Sequence, residues 1–392
     1  MTHGFLNGED ILVITAGYWD AAKRIRHKMP MQWARRGSRI LWIEQSPFLN
    51  TDRSVEVVRK SILGDIREVE PRLYVAAMPP ALPFMYKSGV RGELLKALHR
   101  PFYVRRLRRY LKALDFHPKV VVLFQEAARR DIFDLFPNAI RIYYHHDVYG
   151  YGHATSGQHH ALSACCEKAD MVWCVAKEHK EQLEKYNPKS YFIPHAVDEH
   201  WYAANKDHPP VAYENIPLPR LVYTGVFQEK IDLPLLVGVA KARPEWQQVI
   251  AGPVLPKHLD TTQIRALKSL ANVHFLGERE VDEIPGFLEG ATVLMLPYLP
   301  TENMKSAGLS LKFFEYLISG KPILVSPYTK MQVPDSLYYL ADGPEEWAAC
   351  LDRLRDGDSD SKRRTRIEAA MENTYAARLV TQTALVESFG ME

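Results

Sequence analysis

The chain has 392 residues, 50 Lys and Arg against 47 Asp and Glu, a net charge of +3, and 46% apolar residues. This is the make-up of a soluble globular protein, not of a polyelectrolyte or a disordered chain, and the length asks for two cores. Cys165, Cys166, Cys174 and Cys350 show neither a disulfide framework nor CxxC metal spacing, so a reducing, cytoplasmic setting is the expectation.

The amino-terminal stretch MTHGFLNGEDILVITAG has no basic n-region and no long apolar core, so no signal peptide is expected. No apolar run reaches the length of a membrane span, and membrane contact, where there is any, has to be peripheral. Strand-like runs follow in order: ILVITAG, RILWIEQ, LYVAAMP, VVVLFQE, IRIYYHHD, MVWCVA and SYFIP. The segment from Trp19 to Arg36 has a helical pattern that closes at Gly37, and a second helix is read from Lys177 to Tyr186. Residues 201–219 are polar and proline-bearing and read as a linker. A second alternation then runs through LVYTG, QQVIAG, VHFLG, VLMLPY and PILVS before a charged helical end. Strands alternating with helices imply parallel sheets covered on both faces. The expected organisation is an α/β chain with an N-terminal domain over 1–200, a C-terminal domain over 220–370, and a terminal helix over 371–392 that packs back towards the first domain.

The segment SLKFFEYLISGKPILVS, Ser310 to Ser326, carries the most chemistry. Phe313, Phe314, Leu317 and Ile318 form an apolar helical face, Gly320 ends the helix, and Pro322 leads into a strand. Lys312 and Glu315, three apart, are neighbours on another face. A cation attracts phosphate, and a carboxylate accepts hydrogen bonds from ribose hydroxyls, so the pair suits a nucleoside diphosphate.

LVYTG, VIAGP, NVHFLGERE, VLMLPY and SLKFFEYLISGKPIL, in that order and spacing, resemble the donor-sugar domain of GT-B-fold glycosyltransferases. YFIPHAVD resembles the Pro-x-x-Val-Asp segment of that family, with His195 and Ala196 in place of Asn-Gly, and MQWARRGSRILWIE resembles the first helix and second strand of its acceptor domain. The resemblance implies two doubly wound Rossmann-like domains facing each other across a cleft. It also implies that Glu315 holds the donor ribose and Lys312 meets the diphosphate, with Gly225, Tyr298, Leu309 and Ser310 around them. The loop after NVHFLG would meet the nucleobase through backbone groups of Glu278 and Arg279. Two departures stand out. Ala307 replaces a glutamate common in the family, and Val226 follows Gly225 where a phosphate-binding arginine is usual, leaving Lys230 one residue out of register.

In the first domain, Asp147 follows Tyr143 at a strand end with the spacing of the general base in inverting GT-B relatives, among them bacterial glucuronosyltransferases. Such a base takes the proton from the acceptor hydroxyl as it attacks the anomeric carbon. Helix capping or a buried anchor is the plain alternative for Asp147. His145 and His146 point to opposite faces of their strand, so only one can face an acceptor. Gly17 and Trp19 follow the first strand, where the resemblance puts the acceptor; Trp19 is read either as a sugar-stacking ring or as an ordinary capping aromatic. His145, His146, Asp147, His153, His159 and His160 cluster in sequence but match no zinc spacing, and neither a metal nor a cofactor is expected.

Lys87 to Lys112 holds nine Lys and Arg against Glu93, interleaved with leucines and aromatics and broken by Pro101. It reads either as a surface for an anionic membrane or as a solvated helix packing its leucines inward. No nucleic-acid-reading motif accompanies it. The expected function is transfer of a sugar from a nucleoside diphosphate sugar to a saccharide or lipid-linked saccharide in polysaccharide or cell-surface glycan synthesis. A non-catalytic GT-B subunit and a nucleotide-sugar epimerase are the alternatives.

Overall fold

The computed structural model describes residues 8–21, 24–47, 55–82, 85, 90–146, 156–202, 211–255, 259–301, 304–305, 308–328, 333–356 and 358–390. The chain divides into two compact units: Met1–Pro194 with Arg378–Glu392, and His195–Ala377.

The first unit holds an eight-stranded sheet of β1 (Asp10–Thr15), β2 (Arg39–Ile43), β3 (Ile66–Glu70), β4 (Leu73–Ala76), β5 (Val120–Phe124), β6 (Ile140–His145), β7 (Met171–Cys174) and β8 (Ser190–Phe192), in the order β3-β4-β2-β1-β5-β6-β7-β8. Every pairing is parallel except β3 with β4. The central strands are Val- and Ile-rich and buried on both faces, as a sheet covered on two sides requires. β3 is an addition to the sequence reading. Its residues, IREVE, are half-polar because it is an edge strand, and no alternation marked it. The helix expected from Trp19 begins at Ile25 and runs to Arg35.

The long helix Val90–Ala113 turns Tyr103, Leu107 and Tyr110 into the core of this unit, where Tyr110 Oη donates to the Ala77 carbonyl at 2.6 Å. Leu94, Leu98 and Phe102 lie on the opposite, exposed side. The inward reading therefore holds for Tyr103, Leu107 and Tyr110 and fails for Leu94, Leu98 and Phe102. The chain's last helical residues also belong to this unit: Trp33 Nε1 donates to Gln382 Oε1 at 3.1 Å, and Arg378 Nε to the Pro194 carbonyl at 2.9 Å.

The second unit holds a six-stranded sheet of β9 (Arg220–Thr224), β10 (Gln247–Ala251), β11 (Val273–Gly277), β12 (Val293–Leu296), β13 (Ile323–Val325) and β14 (Tyr339–Leu340), parallel throughout, in the order β11-β10-β9-β12-β13-β14. The chain winds outward from β9 to β11 and then returns to β12 on the other side of β9. That reversal is the switch point at which open α/β sheets bind ligands. Residues 211–219, read as linker, are part of this unit. Tyr213 and Ile216 are buried, and Tyr213 Oη donates to the Phe287 carbonyl at 2.9 Å.

Candidate functional site

The ends of β9, β10 and β12 build the site in the second unit. Gly225 follows β9 with φ of +111° and donates its N–H to the Ala251 carbonyl at 2.7 Å. Gly252 follows β10 with φ of +154°. A Cβ on Gly252 would stand 2.2 Å from the Gly225 carbonyl oxygen, so the two turns meet backbone to backbone and neither tolerates a side chain without moving.

Lys312 lies on this glycine turn. A Cβ at position 225 would come within 2.4 Å of Lys312 Cε and 2.5 Å of Nζ. The ammonium stands 5.8 Å from the centre of the Tyr223 ring. Lys312 reaches this spot because it sits in the first turn of the helix Leu311–Leu317, whose apolar face, with Phe313, Phe314, Tyr316 and Leu317, is buried in the core. The same helix fixes β9 directly: the Thr224 N–H donates to Tyr316 Oη at 2.9 Å. Glu315 is half-buried on that helix; burial pushes the Tyr223 and Tyr316 hydroxyls above the ordinary tyrosine range, and the Glu315 charge adds the smallest contribution. The cation of the sequence motif is thus placed at the end of β9, and the carboxylate follows one turn along the same helix.

Tyr298, at the end of β12, is fully buried. Its ring packs edge-to-face on Tyr223 at 6.4 Å and on Tyr328 at 5.0 Å, so it forms the floor under the turn and offers no face to a ligand. Lys230 stands over that floor with Nζ 4.9 Å from the Tyr298 ring centre, and its carbonyl accepts the Leu299 N–H at 2.9 Å. Two lysines therefore stand over adjacent rings of one tyrosine pair, on either side of the switch point. Ser310 is the residue before the helix, with its carbonyl accepting the Phe313 N–H at 3.0 Å, and Leu309 packs against the core. Glu278 is exposed after Gly277, whose φ is +74°. The Arg279 side chain turns back, with Nη2 donating to the Leu276 carbonyl at 2.6 Å, and leaves the loop backbone as the outward surface there. Ala307 lies outside the described residues.

The matching edge of the first unit is packed differently. Gly17 is buried, and a Cβ there would meet the Arg26 guanidinium at 2.8–2.9 Å. Trp19 is buried as well, edge-to-face with His27 at 5.4 Å and with Trp42 at 5.4 Å, while its backbone N–H donates to Glu44 Oε1 at 3.1 Å. Its ring is thus a core ring; the sugar-stacking reading does not survive this packing. Burial raises the Glu44 carboxyl above the ordinary range. His145 is buried against His179, ring centres 4.9 Å apart, and burial holds its imidazole neutral, far below its usual pKa. It cannot face an acceptor. His146 points to the other side of the sheet, against Phe124 and Tyr144, and its backbone N–H donates to Gln125 Oε1 at 3.0 Å. Asp147 and His153 lie outside the described residues. Among the described residues no group of His, Cys, Asp and Glu is gathered closely enough to hold a metal ion.

Sequence reasoning missed Gly252 and Arg26 as site-forming residues. The first was signalled by the glycine closing VIAGP, which only the backbone contact with Gly225 explains. The second lay unmarked in the basic run RIRHK, and nothing in its spacing pointed towards Gly17.

Residues 219–356 match the family model described as Glycosyl transferases group 1. No curated protein matches the chain. Among solved structures, sucrose-phosphate synthase from Thermosynechococcus elongatus superposes with a TM-score of 0.65 at 15% identity, over 98% of this chain and 100% of that one. HepE of Anabaena, solved with UDP and glucose, gives 0.66 at 12% identity, over 97% and 100%. WaaG, a glycosyltransferase involved in lipopolysaccharide biosynthesis, gives 0.60 at 13% identity, over 94% and 99%. At these identities the superpositions speak for the fold, and the family model speaks for the unit that carries Gly225, Lys312 and Glu315. The fold is thus shared from end to end with these solved structures, and residues 219–356 carry the match to the group 1 glycosyl transferases.

Proposed function

We propose that the chain moves a sugar from a nucleoside diphosphate sugar to a hydroxyl of a saccharide or lipid-linked saccharide. The observation that carries the donor half is the Lys312 side chain laid over the Gly225 turn at the switch point of the second sheet. A turn without side chains lets a pyrophosphate approach the backbone, and a lysine beside it supplies the charge. Glu315, one turn along the helix, takes the ribose hydroxyls. Two similar folds, HepE and a pneumococcal O-GlcNAc transferase, were solved with UDP and a sugar, which favours a donor of this class.

The first unit supplies the acceptor site in this reading, with Asp147 as the general base if the reaction inverts the anomeric centre. The family cation after Gly225 is replaced by Val226, so Lys312 and Lys230 carry the positive charge, with backbone amides beside them. One charge-assisted hydrogen bond contributes about 1.5–3 kcal/mol, so a site with one cation fewer still binds. The epimerase alternative wants carboxylates and histidines around the donor sugar, and nothing favours it.

The test is calorimetry across a panel of nucleoside diphosphate sugars, followed by proton NMR of the product formed from the best binder. One donor bound well above the rest, and a new anomeric signal with an acceptor, is the expected result. Failure to bind any nucleotide sugar is what a non-catalytic subunit would give, and would end this proposal.

A further inference from the structure

We infer that the outer face of the helix Val90–Ala113, with the end of the helix Val55–Leu63 beside it, docks the protein on an anionic lipid bilayer. The long helix is apolar on two opposite sides. Tyr103, Leu107 and Tyr110 fill the core, and Leu94, Leu98 and Phe102 point away from it with exposures of 59%, 56% and 66%. Spaced four apart, the outward three form one line along the helix. A single exposed leucine needs no explanation, whereas a line of them does.

The line is not isolated. Arg106 donates to the carbonyls of Ser61 at 3.0 Å and Ile62 at 3.2 Å, and Arg109 donates to that of Gly64 at 3.0 Å. These bonds pin the end of the shorter helix to the flank of the longer one. Ile62 and Leu63, exposed by 58% and 63%, stand there. Beyond Phe102 the exposed face turns basic, with Arg105, Arg108 and Lys112 outward. Among the residues of this helix the one carboxylate is Glu93, held by Lys96 at 2.8 Å.

A bilayer with anionic headgroups satisfies both halves of this face at once. The apolar line enters the acyl boundary and the arginines meet the phosphates. A second copy of the chain fits less well, because a two-fold interface sets these arginines against either the partner's arginines or its apolar line, and neither answers their charge. A nucleic acid would use the arginines and leave the apolar line in water. Each basic residue near an anionic leaflet changes partitioning about fivefold. The inference sharpens the lipid-linked half of the acceptor reading and rests on different residues, so either can fail while the other stands.

The experiment is co-sedimentation of the full chain with vesicles of phosphatidylcholine alone and with about 30% phosphatidylglycerol. The expected partitioning is at least ~10-fold stronger on the anionic vesicles, and reduced in about 0.5 M salt. Leu98→Ser with Phe102→Ser lowers anionic-vesicle binding by ~10-fold or more. Arg105→Glu with Arg108→Glu lowers it at least as far and removes the salt dependence. Both pairs are exposed, so melting by circular dichroism and nucleotide-sugar binding stay at wild-type values. If the apolar pair lowers the melting temperature, the charge pair alone decides. Equal binding to both vesicles, no binding to either, or wild-type binding by the charge pair overturns the inference. Sedimentation velocity showing a dimer that Leu98→Ser with Phe102→Ser dissociates assigns the face to a second copy and overturns it too.

Discussion

The two units share a doubly wound parallel core, to which the first adds strands, and they finish their central strands in opposite ways. At the end of β9 and β10 the second unit places glycines, with a lysine laid across them and tyrosines as a floor. At the end of β1 and β2 the first unit places a packed knot of Trp19, Trp42 and His27, with Glu44 buried against it. A diphosphate-binding edge needs bare backbone and positive charge, whatever sugar it carries. The first unit's edge has no such common demand, and its residues answer to packing as much as to any ligand.

The sharpest way to test that division is to ask which parameter each unit controls. Asp147→Asn is expected to lower turnover by at least ~10²-fold with donor affinity unchanged, measured by product formation and by calorimetry. An unchanged rate removes the base assignment and leaves the first unit with binding alone. Lys312→Ala is expected to act on the other parameter. Losing a charge-assisted phosphate contact of about 1.5–3 kcal/mol weakens donor binding by roughly 10- to 150-fold. Wild-type affinity in that variant would break the comparison, because the glycine turn would then have no ligand charge to answer.

A smaller effect tests the floor rather than the ligand. Tyr316→Phe takes away the oxygen that accepts the buried Thr224 N–H at 2.9 Å. An orphaned buried donor costs about 1–3 kcal/mol, so the expected outcome is a lower midpoint in denaturant at an unchanged slope. A midpoint equal to wild type would mean that the end of β9 is held by the sheet alone.

The same contrast explains what was legible in the sequence. The second unit announced itself because its chemistry is written in short local pieces: a strand, a glycine, then a helix with Lys312 and Glu315 three apart. The buried runs that form β9, β10 and β12 are apolar enough to be read without an alignment. β14 escaped because Tyr339–Leu340 is only two residues long, and β3 because an edge strand need not be apolar. In the first unit the reading of Trp19 and His145 stayed open between ligand and core for a common reason. An aromatic or imidazole just after a buried strand suits a ligand and suits a core equally, and only the partners Trp42, His27 and His179 decide between them. Arg26 was illegible because its role depends on a contact with Gly17 that no spacing encodes.

The smallest effect concerns pH, and it lies within the first unit. Burial lowers the His179 pKa from 6.5 to about 4, and that of His145 well below 6.5 by burial and the neighbouring imidazoles. A histidine whose pKa falls on folding binds more protons unfolded, so stability rises with pH between the folded and unfolded values. For His179 that window runs from about pH 4 to 6.5, and its slope approaches about 1.4 kcal/mol per unit at the middle. Glu44 and Glu126 act with the opposite sign, since burial raises their carboxyl pKa values and their contribution is lost as pH rises. The two effects are told apart by a variant. His179→Phe keeps a ring against His145 and no longer titrates, so its thermal midpoint is expected to fall less than that of wild type between pH 6.5 and pH 5. Parallel curves would show that the buried imidazoles open to solvent before the first unit melts, and that the packed edge of its sheet is looser than its burial implies.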